Sequence, residues 1–227
     1  MGSTTNAIFT RQDKTLLLTK DGGNTFDSVT LADNAIRDVF FINATVAYAA
    51  GDKTWKTTDV GQNWTPLSTF SSNTPLSSKF LYFLNEQTGW VTGDQFFKTT
   101  NGGISWESTP GVTFGYTMGT VSFPDANTGY VTDAYSINKT TNGGATYTKI
   151  FTPYSTYFHD IHFINSQLGY VTDNFYILKT IDGGQTWTKD VVIIPGSLGG
   201  DIVELHFTDA SHGWAAGSGG FILKYEQ

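Results

Sequence analysis

The motif Thr180-Ile-Asp-Gly-Gly-Gln-Thr-Trp187 occurs in five versions along the chain. The other four are Thr19-Lys-Asp-Gly-Gly-Asn-Thr-Phe26, Thr57-Thr-Asp-Val-Gly-Gln-Asn-Trp64, Thr99-Thr-Asn-Gly-Gly-Ile-Ser-Trp106 and Thr140-Thr-Asn-Gly-Gly-Ala-Thr-Tyr147. The central Asp or Asn recurs at spacings of 38, 42, 41 and 40 residues. Self-similarity at a fixed period of this size indicates a repeat architecture.

A second motif lies between the copies of the first. It is a Phe, followed two residues later by Asn or Asp, leading into Gly-Tyr/Trp-Val-Thr or a close variant. Its copies begin at Phe41, Phe83, Phe123, Phe163 and Phe207. Together the two motifs predict four short strands per repeat, which in one copy are A (36–42), B (46–51), C (53–58) and D (64–67). Four-stranded antiparallel units at this period predict an all-β fold, the β-propeller, with the hairpin motif between strands C and D.

The hairpin motif also carries a family resemblance. Asp-Gly or Asn-Gly between two β-rich segments is a strong hairpin signal, because Gly accepts a positive φ without steric cost. The pattern Ser/Thr-x-Asp-x-Gly-x-Thr/Ser-Trp resembles the Asp box, or BNR repeat, of sialidases, xyloglucanase-type glycosidases, sortilin-like receptors and the photosystem II assembly-factor (Ycf48-like) family. The repeated Lys-Thr-Thr-Asn-Gly-Gly and Gly-Tyr-Val-Thr segments are most similar to the last group and its bacterial relatives.

In that superfamily the Asp box is a structural turn away from the ligand-binding mouth. The resemblance therefore implies a structural role for ten residues: Asp21, Phe26, Asp59, Trp64, Asn101, Trp106, Asn142, Tyr147, Asp182 and Trp187. It implies an assembly-factor role only for the photosynthetic members of the family.

The ends of the chain leave the number of blades open. Sequences resembling strand C occur six times and those resembling strand A five times, because the first repeat lacks A and the last lacks D. Two incomplete blades in a six-bladed ring or one shared blade in a five-bladed ring fit this count, and six is favoured. We expect one propeller domain over residues 1–227, with residues 1–7 as a disordered tag.

The composition of the chain indicates which kinds of partner and location to expect. The net charge is −7 with a pI near 4.9, and the basic residues are scattered, so nucleic acid is not expected as a partner. No apolar segment approaches the roughly 20 residues that cross a bilayer. The chain has no Cys, which excludes disulfides and thiolate metal sites. We expect a secreted, periplasmic or cell-surface protein whose native leader is missing, and no cofactor.

Residues that vary between repeats are free to serve function. They concentrate in the links from D to A and from B to C, which share one end of each predicted blade. Aromatic rings beside carboxylates suit sugars and cationic peptide segments. The predicted ligand-binding residues are Arg37, Asp38, Asp52, Asp94, Tyr116, Asp133, Tyr154, Tyr157, His159, Asp160, Asp173 and Glu204.

Strand alternation also places Asp160 with His162 and Glu204 with His206. A carboxylate near an imidazole can orient a general base or support a metal ligand. The sequence specifies neither a nucleophile nor a third ligand, so no catalytic or metal-binding residue is predicted.

The functional prediction is a non-catalytic binding or assembly scaffold for a protein or glycan ligand. A sialidase is excluded, because that family holds its substrate carboxylate with three arginines and this chain has only Arg11 and Arg37. Two alternatives stay open. One is a glycoside hydrolase or glycan-binding protein that uses paired carboxylates at the propeller mouth. The other is a repeat module of a surface adhesin or phage fibre.

Overall fold

The computed structural model describes residues 5–11, 14–32, 36–69, 80–93, 95–109, 119–133, 135–150, 157–174, 176–190 and 200–226. Within these ranges every regular element is a β-strand, which confirms the predicted all-β class. The chain divides into two compact units, Met1–Thr109 and Pro110–Gln227. The prediction of a single domain stays a prediction.

The first unit contains three antiparallel sheets, here called blades 1 to 3. Blade 1 consists of β1 (Ala7–Thr10), β2 (Thr15–Thr19) and β3 (Asp27–Thr30). Blade 2 consists of β4 (Asp38–Phe41), β5 (Ala47–Ala50), β6 (Lys53–Thr57) and β7 (Thr65–Thr69). Blade 3 consists of β8 (Phe80–Phe83), β9 (Gly89–Thr92), β10 (Phe96–Thr99) and β11 (Glu107–Ser108).

The second unit contains blades 4 to 6. Blade 4 consists of β12 (Val121–Ser122), β13 (Gly129–Asp133), β14 (Ser136–Thr140) and β15 (Thr148–Ile150). Blade 5 consists of β16 (Ile161–Phe163), β17 (Gly169–Thr172), β18 (Ile177–Thr180) and β19 (Thr188–Asp190). Blade 6 consists of β20 (Ile202–Phe207), β21 (His212–Gly217) and β22 (Ile222–Glu226).

Both incomplete repeats are confirmed. Every described neighbour pair is antiparallel and consecutive in sequence, as a four-stranded meander requires. Blade 1 has strands in the B, C and D positions and blade 6 has strands in the A, B and C positions. Six blades, the favoured count, are therefore present. Residues 5–7 belong to blade 1: β1 begins at Ala7, and the Asn6 side-chain amide donates to the Ala44 carbonyl at 3.1 Å.

The conserved spacing of Phe and Gly in the second motif has a steric cause. Phe163 in β16 lies opposite Gly169 in β17, and a Cβ on Gly169 would lie 2.5 Å from the Phe163 ring. Gly89, Gly129 and Gly213 show the same close approach to the Phe of their own blades. The ring then stacks on the strand-B aromatic residue of the preceding blade, as Phe163 does on Tyr130. The second motif thus packs blade 3 on blade 2, blade 5 on blade 4 and blade 6 on blade 5.

The Asn or Asp of the second motif caps the turn from strand A to strand B. Asn165 Oδ1 accepts hydrogen bonds from the backbone N–H groups of Gln167 and Leu168, at 2.9 and 2.8 Å. Asn43, Asn85, Asp125 and Asp209 accept the equivalent bonds in their own blades. The residue type is required because a short side-chain acceptor satisfies turn donors that have no strand partner.

The hairpin motif forms the same hydrogen-bonded turn in each blade that carries it, called here the recurring turn. In blade 5, Thr180 Oγ1 donates to Asp182 Oδ1 and accepts from Gly184 N–H. Asp182 in turn accepts from the backbone N–H and hydroxyl groups of Thr186, at 2.9 and 2.6 Å. Hydrogen bonds from Thr186 and Thr180 lower the pKa of Asp182 to about 2. Where Asn142 replaces Asp, its amide nitrogen donates to Thr146 Oγ1, so the turn keeps its form.

The aromatic residue that ends the recurring turn packs against strand A. Trp106 is 7% exposed and meets the ring of Phe83 edge to face at 6.0 Å. Trp187 is 5% exposed and meets Phe163 in the same way at 6.1 Å. Blade 1 has no strand A among the described residues, and there the equivalent Phe26 is 50% exposed. In blade 3 the preceding blade also covers this position, because the Trp106 indole N–H donates to Thr54 Oγ1 of blade 2 at 3.3 Å.

Candidate functional site

A group of rings, one exposed and two half-buried, lies at the end of blades 4 and 5 where the B-to-C turns and the links into strand A meet. Tyr135, in the turn between β13 and β14, is 68% exposed. Its ring meets that of Tyr157 edge to face at a centroid distance of 5.8 Å. The Tyr157 ring lies 5.4 Å from that of His159. Tyr135, Tyr157 and His159 are called the aromatic cluster below.

Hydrogen bonds to the turns fix the aromatic cluster. Asp133 Oδ1 accepts from the backbone N–H of Tyr135 at 2.9 Å, and its other oxygen accepts from the Ser136 hydroxyl. The backbone N–H of His159 donates to the Thr172 carbonyl. His159 Nε2 lies 2.7 Å from Asn174 Oδ1, so this nitrogen donates to an amide oxygen that can only accept. The rings are thus presented on turns with satisfied backbone groups.

A further ring lies at the same end of blade 5. Tyr176 directly precedes β18 and is partly exposed. Lys189 Nζ lies 3.5 Å from the centroid of the Tyr176 ring. The side chain of the buried Asp173 accepts a hydrogen bond from the Tyr176 backbone N–H at 2.6 Å. The backbone N–H of Asp173 donates to the Tyr176 carbonyl. Asp133 and Asp173 were predicted to bind ligand. In the structure their carboxylate oxygens accept hydrogen bonds from residues of their own turns.

Asp38 joins two neighbouring sheets. Its Oδ1 accepts from the backbone N–H of Val39, and its Oδ2 accepts from the N–H of Leu81 in blade 3, both at 2.7 Å. Asp160 occupies the same position in blade 5 and makes the same two kinds of bond, to its own strand and to blade 6, both at 2.8 Å. Because the arrangement repeats in two blades, it serves the packing of adjacent sheets. Both residues were predicted to bind ligand.

Two pairs of titratable side chains lie at the first strands of blades 5 and 6: Asp160 with Glu204, and His162 with His206. Burial of its carboxyl group, together with the nearby Glu204 charge, raises the pKa of Asp160 to about 7, although hydrogen bonds from Leu205 and Ile161 oppose the shift. The rings of His162 and His206 lie 5.5 Å apart, edge to face. Burial and the charge of His206 lower the pKa of His162 to about 4. The two shifts favour the neutral forms of this partly buried acid and this partly buried base.

The remaining predicted residues have separate environments. Arg37 is exposed, and its backbone N–H donates to the Ala50 carbonyl; Asp52 is partly buried in the turn between β5 and β6. Asp94, Tyr116 and Tyr154 lie outside the described residues. Of the predicted set, the structure brings together Tyr157 with His159, and Asp160 with Glu204. A ligand role for these residues stays a prediction.

Sequence reasoning missed Tyr135, Asn174 and Tyr176. Their positions within three residues of the turn acids Asp133 and Asp173 were the available signal, because a residue at a hairpin tip is exposed wherever the tip is not covered. What the sequence did not contain was the contact between Tyr135 and Tyr157, which joins two loops of different length.

Two classes of feature are not found in the described ranges. No group of three or more His, Asp or Glu side chains there is arranged to hold a metal ion. No helix among them has the length and hydropathy needed to cross a membrane.

Comparison with known proteins identifies the fold. No family model matches the sequence, and no curated protein does. A structure of YCF48 bound to D1 peptide matches 99% of this chain and 91% of its own, with 16% identity and a TM-score of 0.61. YCF48 from Cyanidioschyzon merolae matches 97% of this chain and 91% of its own, with 15% identity and a TM-score of 0.59. The chain is a β-propeller.

A larger enzyme shares the architecture of this propeller. The GH74 xyloglucanase from Xanthomonas campestris matches 92% of this chain with 12% identity and a TM-score of 0.68, and the match covers 40% of the enzyme. At sequence identities this low, structural similarity establishes only the fold. The ligand of this propeller has to be inferred from its own residues.

Proposed function

We propose that this propeller is a non-catalytic binding scaffold and that the aromatic cluster forms part of its ligand-binding face. The observation that carries the proposal is the exposed edge-to-face contact of Tyr135 with Tyr157, supported by His159. Tyr rings held on capped turns offer a large contact area with little ordering cost on binding. The ligand is a protein segment or a glycan.

A protein segment that carries Lys or Arg fits the observations better than a neutral sugar. The chain has a net charge of −7, which attracts cationic partners. Tyr faces also bind ammonium and guanidinium groups, as Tyr176 does with Lys189 in this propeller. The YCF48 structure with a bound D1 peptide supports a peptide-binding role for a propeller of this architecture.

The test is a peptide and glycan array with the wild-type chain, followed by affinity measurements on two variants. Tyr135→Ala and Tyr157→Ala should each weaken binding by about 1 to 2 kcal/mol, roughly five- to thirtyfold. Tyr135→Ala should leave the melting temperature nearly unchanged, because the ring is largely exposed. Ile181→Ala is the matched control: it is an exposed apolar residue in the recurring turn, at the other end of strand β18. Equal affinity of all three variants would reject the proposed face.

One observation favours glycoside hydrolysis as a second candidate function. Asp160 has a pKa raised to about 7 by burial, with the Glu204 charge nearby, which is the state that a general acid requires. Against it, both Asp160 oxygens accept backbone N–H groups, as those of Asp38 do. Any glycan that binds should therefore be incubated and analysed for products. Turnover that is lost in Asp160→Asn would establish the hydrolase and reject the scaffold.

A further inference from the structure

The first strands of blades 2 to 6 share a sequence pattern with one variable position. Each strand contains an aliphatic residue, a variable residue and Phe in succession. The variable residues are, in blade order, Phe40, Tyr82, Ser122, His162 and His206. Because the aliphatic residue and the Phe recur in all five copies while the residue between them changes, the fold does not dictate the central side chain. His occupies this position in two consecutive blades, 5 and 6.

The two imidazole rings lie against each other between these blades. The ring centres of His162 and His206 are 5.5 Å apart, and the ring planes make an angle of 69°. The rings at the same positions of blades 2 and 3, Phe40 and Tyr82, have their centres 5.3 Å apart. The packing of adjacent blades therefore sets this separation, and the sequence of blades 5 and 6 places two pairs of ring nitrogens at it.

The backbone on both sides of the contact is fixed. His162 lies in β16, which pairs with β17, and His206 lies in β20, which pairs with β21. Directly beside the two rings, the backbone N–H of Leu205 donates to Asp160 Oδ2 at 2.8 Å and joins β20 to β16. The two side chains thus project from rigid elements, as a preorganised binding site requires.

The ring separation matches that of two imidazoles bound to one metal ion. A His nitrogen binds Zn²⁺ at about 2.0–2.1 Å, so two His ligands of one tetrahedral ion have their ring centres about 5 Å apart. The 5.5 Å between His162 and His206 is close to this value. A shared ion therefore needs no displacement of either strand.

The surroundings of His162 also suit a metal ligand. One nitrogen of its ring donates a hydrogen bond to the backbone carbonyl of Phe207, and the Phe207 ring lies 6.0 Å from the imidazole. A backbone carbonyl that accepts from one nitrogen leaves the lone pair on the other, which is the tautomer that a metal ion binds. His162 is half-buried and His206 is exposed, so an ion can reach the pair from solvent.

We propose that His162 and His206 together bind a divalent cation of the Zn²⁺ and Cu²⁺ class. Imidazole nitrogen suits these ions, whereas Mg²⁺ and Ca²⁺ prefer oxygen ligands. Within the described part of the chain, no third His, Asp or Glu side chain completes a metal-binding group, so water fills the remaining coordination positions. The bound ion links blade 5 to blade 6 and keeps open positions for a donor atom of another molecule. The site does not depend on the proposed function of the aromatic cluster.

The small number of His residues allows a complete test. The chain has four, His159, His162, His206 and His212. Calorimetric titration of tag-free protein with Zn²⁺ and with Cu²⁺ should show one bound ion, and titration with Mg²⁺ should show none. His206→Ala should bind Zn²⁺ and Cu²⁺ at least about tenfold more weakly, since even the loss of a residue that only supports a ligand costs that much. The matched control is the double variant His159→Ala with His212→Ala, which should bind as the wild type does.

Thermal melts and NMR provide readouts that do not rely on calorimetry. Saturating Zn²⁺ should raise the melting temperature of the wild type, because an ion that binds only the folded chain stabilises it, and should leave that of His206→Ala unchanged. Paramagnetic Cu²⁺ should broaden the ring signals of His162 and His206 before those of the other two His residues.

Three results would overturn the proposal. They are the absence of ion binding to the wild type, equal affinity of the wild type and His206→Ala, and loss of binding in the double control variant. Because His206 is exposed, its replacement should leave the metal-free melting temperature near that of the wild type. Equal metal-free melting temperatures separate the loss of a ligand from misfolding.

Discussion

Val60 holds a backbone conformation that its side chain disfavours. In four of the five recurring turns this position is Gly, with φ between 68 and 73°, and Val60 has φ of 62°. Its N–H donates to the Thr45 carbonyl, as the N–H of Gly22 does to the Thr5 carbonyl. The turn thus imposes a left-handed backbone conformation even on a β-branched residue, for which this conformation costs free energy.

Val60→Gly should raise the free energy of unfolding by about 1 kcal/mol, since relief of the strain exceeds the entropic cost of Gly. Equilibrium unfolding in urea measures this free energy for the variant and the wild type. Gly22→Val is the matched reverse change: a Cβ on Gly22 meets no atom within 4 Å, so only the backbone conformation is penalised. That variant should lose a similar amount. A destabilised Val60→Gly would mean that Val60 contributes more by packing than the turn costs.

Residues of identical type have different roles in this propeller. Asp182 closes a turn, Asp160 joins two sheets, and Asp173 caps a hairpin tip. The pKa of Asp182 is lowered to about 2 because it gains hydrogen bonds without burial, and that of Asp160 is raised to about 7 because burial outweighs its hydrogen bonds. Environment, and not residue type, therefore selects the candidates for chemistry.

The pairing of strands A and B within a blade depends on a close contact between Phe and Gly. The Gly admits the Phe ring onto the backbone, and the ring then stacks on an aromatic residue of the preceding blade, at 3.8 Å for Phe83 on Tyr48 and at 4.0 Å for Phe207 on Tyr170. One strand pair thus determines the packing of two sheets.

Gly169→Ala should destabilise the protein by about 1 to 3 kcal/mol, the usual range for overpacking, because the new Cβ would lie 2.5 Å from the Phe163 ring. Chemical denaturation measures this loss. The double variant with Phe163→Leu should be less destabilised than the sum of the two single changes, since the smaller side chain removes the clash. Strict additivity would show that the glycine is needed for some other reason.

At the scale of the whole molecule, the recurring turns make stability depend on acid pH. Hydrogen bonds within the turn lower the pKa of Asp21, Asp59 and Asp182 to about 2 from an ordinary value of 3.8. These carboxylates therefore contribute stability above pH 4, which is lost as the pH falls through 2. Asn101 and Asn142 form the same turn without titrating.

The triple variant Asp21→Asn, Asp59→Asn and Asp182→Asn should show a smaller fall in melting temperature than the wild type between pH 4 and pH 2. Thermal melts followed by circular dichroism at several pH values measure it. Asn101→Asp and Asn142→Asp make the reciprocal test and should steepen the fall. Parallel curves for all variants would show that the turn acids have the same proton affinity in the folded and unfolded chain.

The sequence by itself determined the strands and their order, and it favoured six blades over five without deciding between them; the six sheets of the structure decide the number. Turns such as Thr180–Thr186 close through bonds between residues two to four positions apart, so their geometry is local and is repeated with the motif. The stacking of Phe on the preceding blade also repeats, for Phe83, Phe163 and Phe207, because Phe and Gly recur at one spacing in these blades. Period and composition were sufficient for these features.

Only the tertiary structure decided what the irregular residues do. The contact of Tyr135 with Tyr157 and the exposure of Phe9 beside Phe26 each depend on segments that no shared period relates. The physical reason is that these contacts depend on the direction in which each link leaves its sheet and on which edges remain unpaired. Both properties arise from the packing of whole blades and are absent from any single repeat.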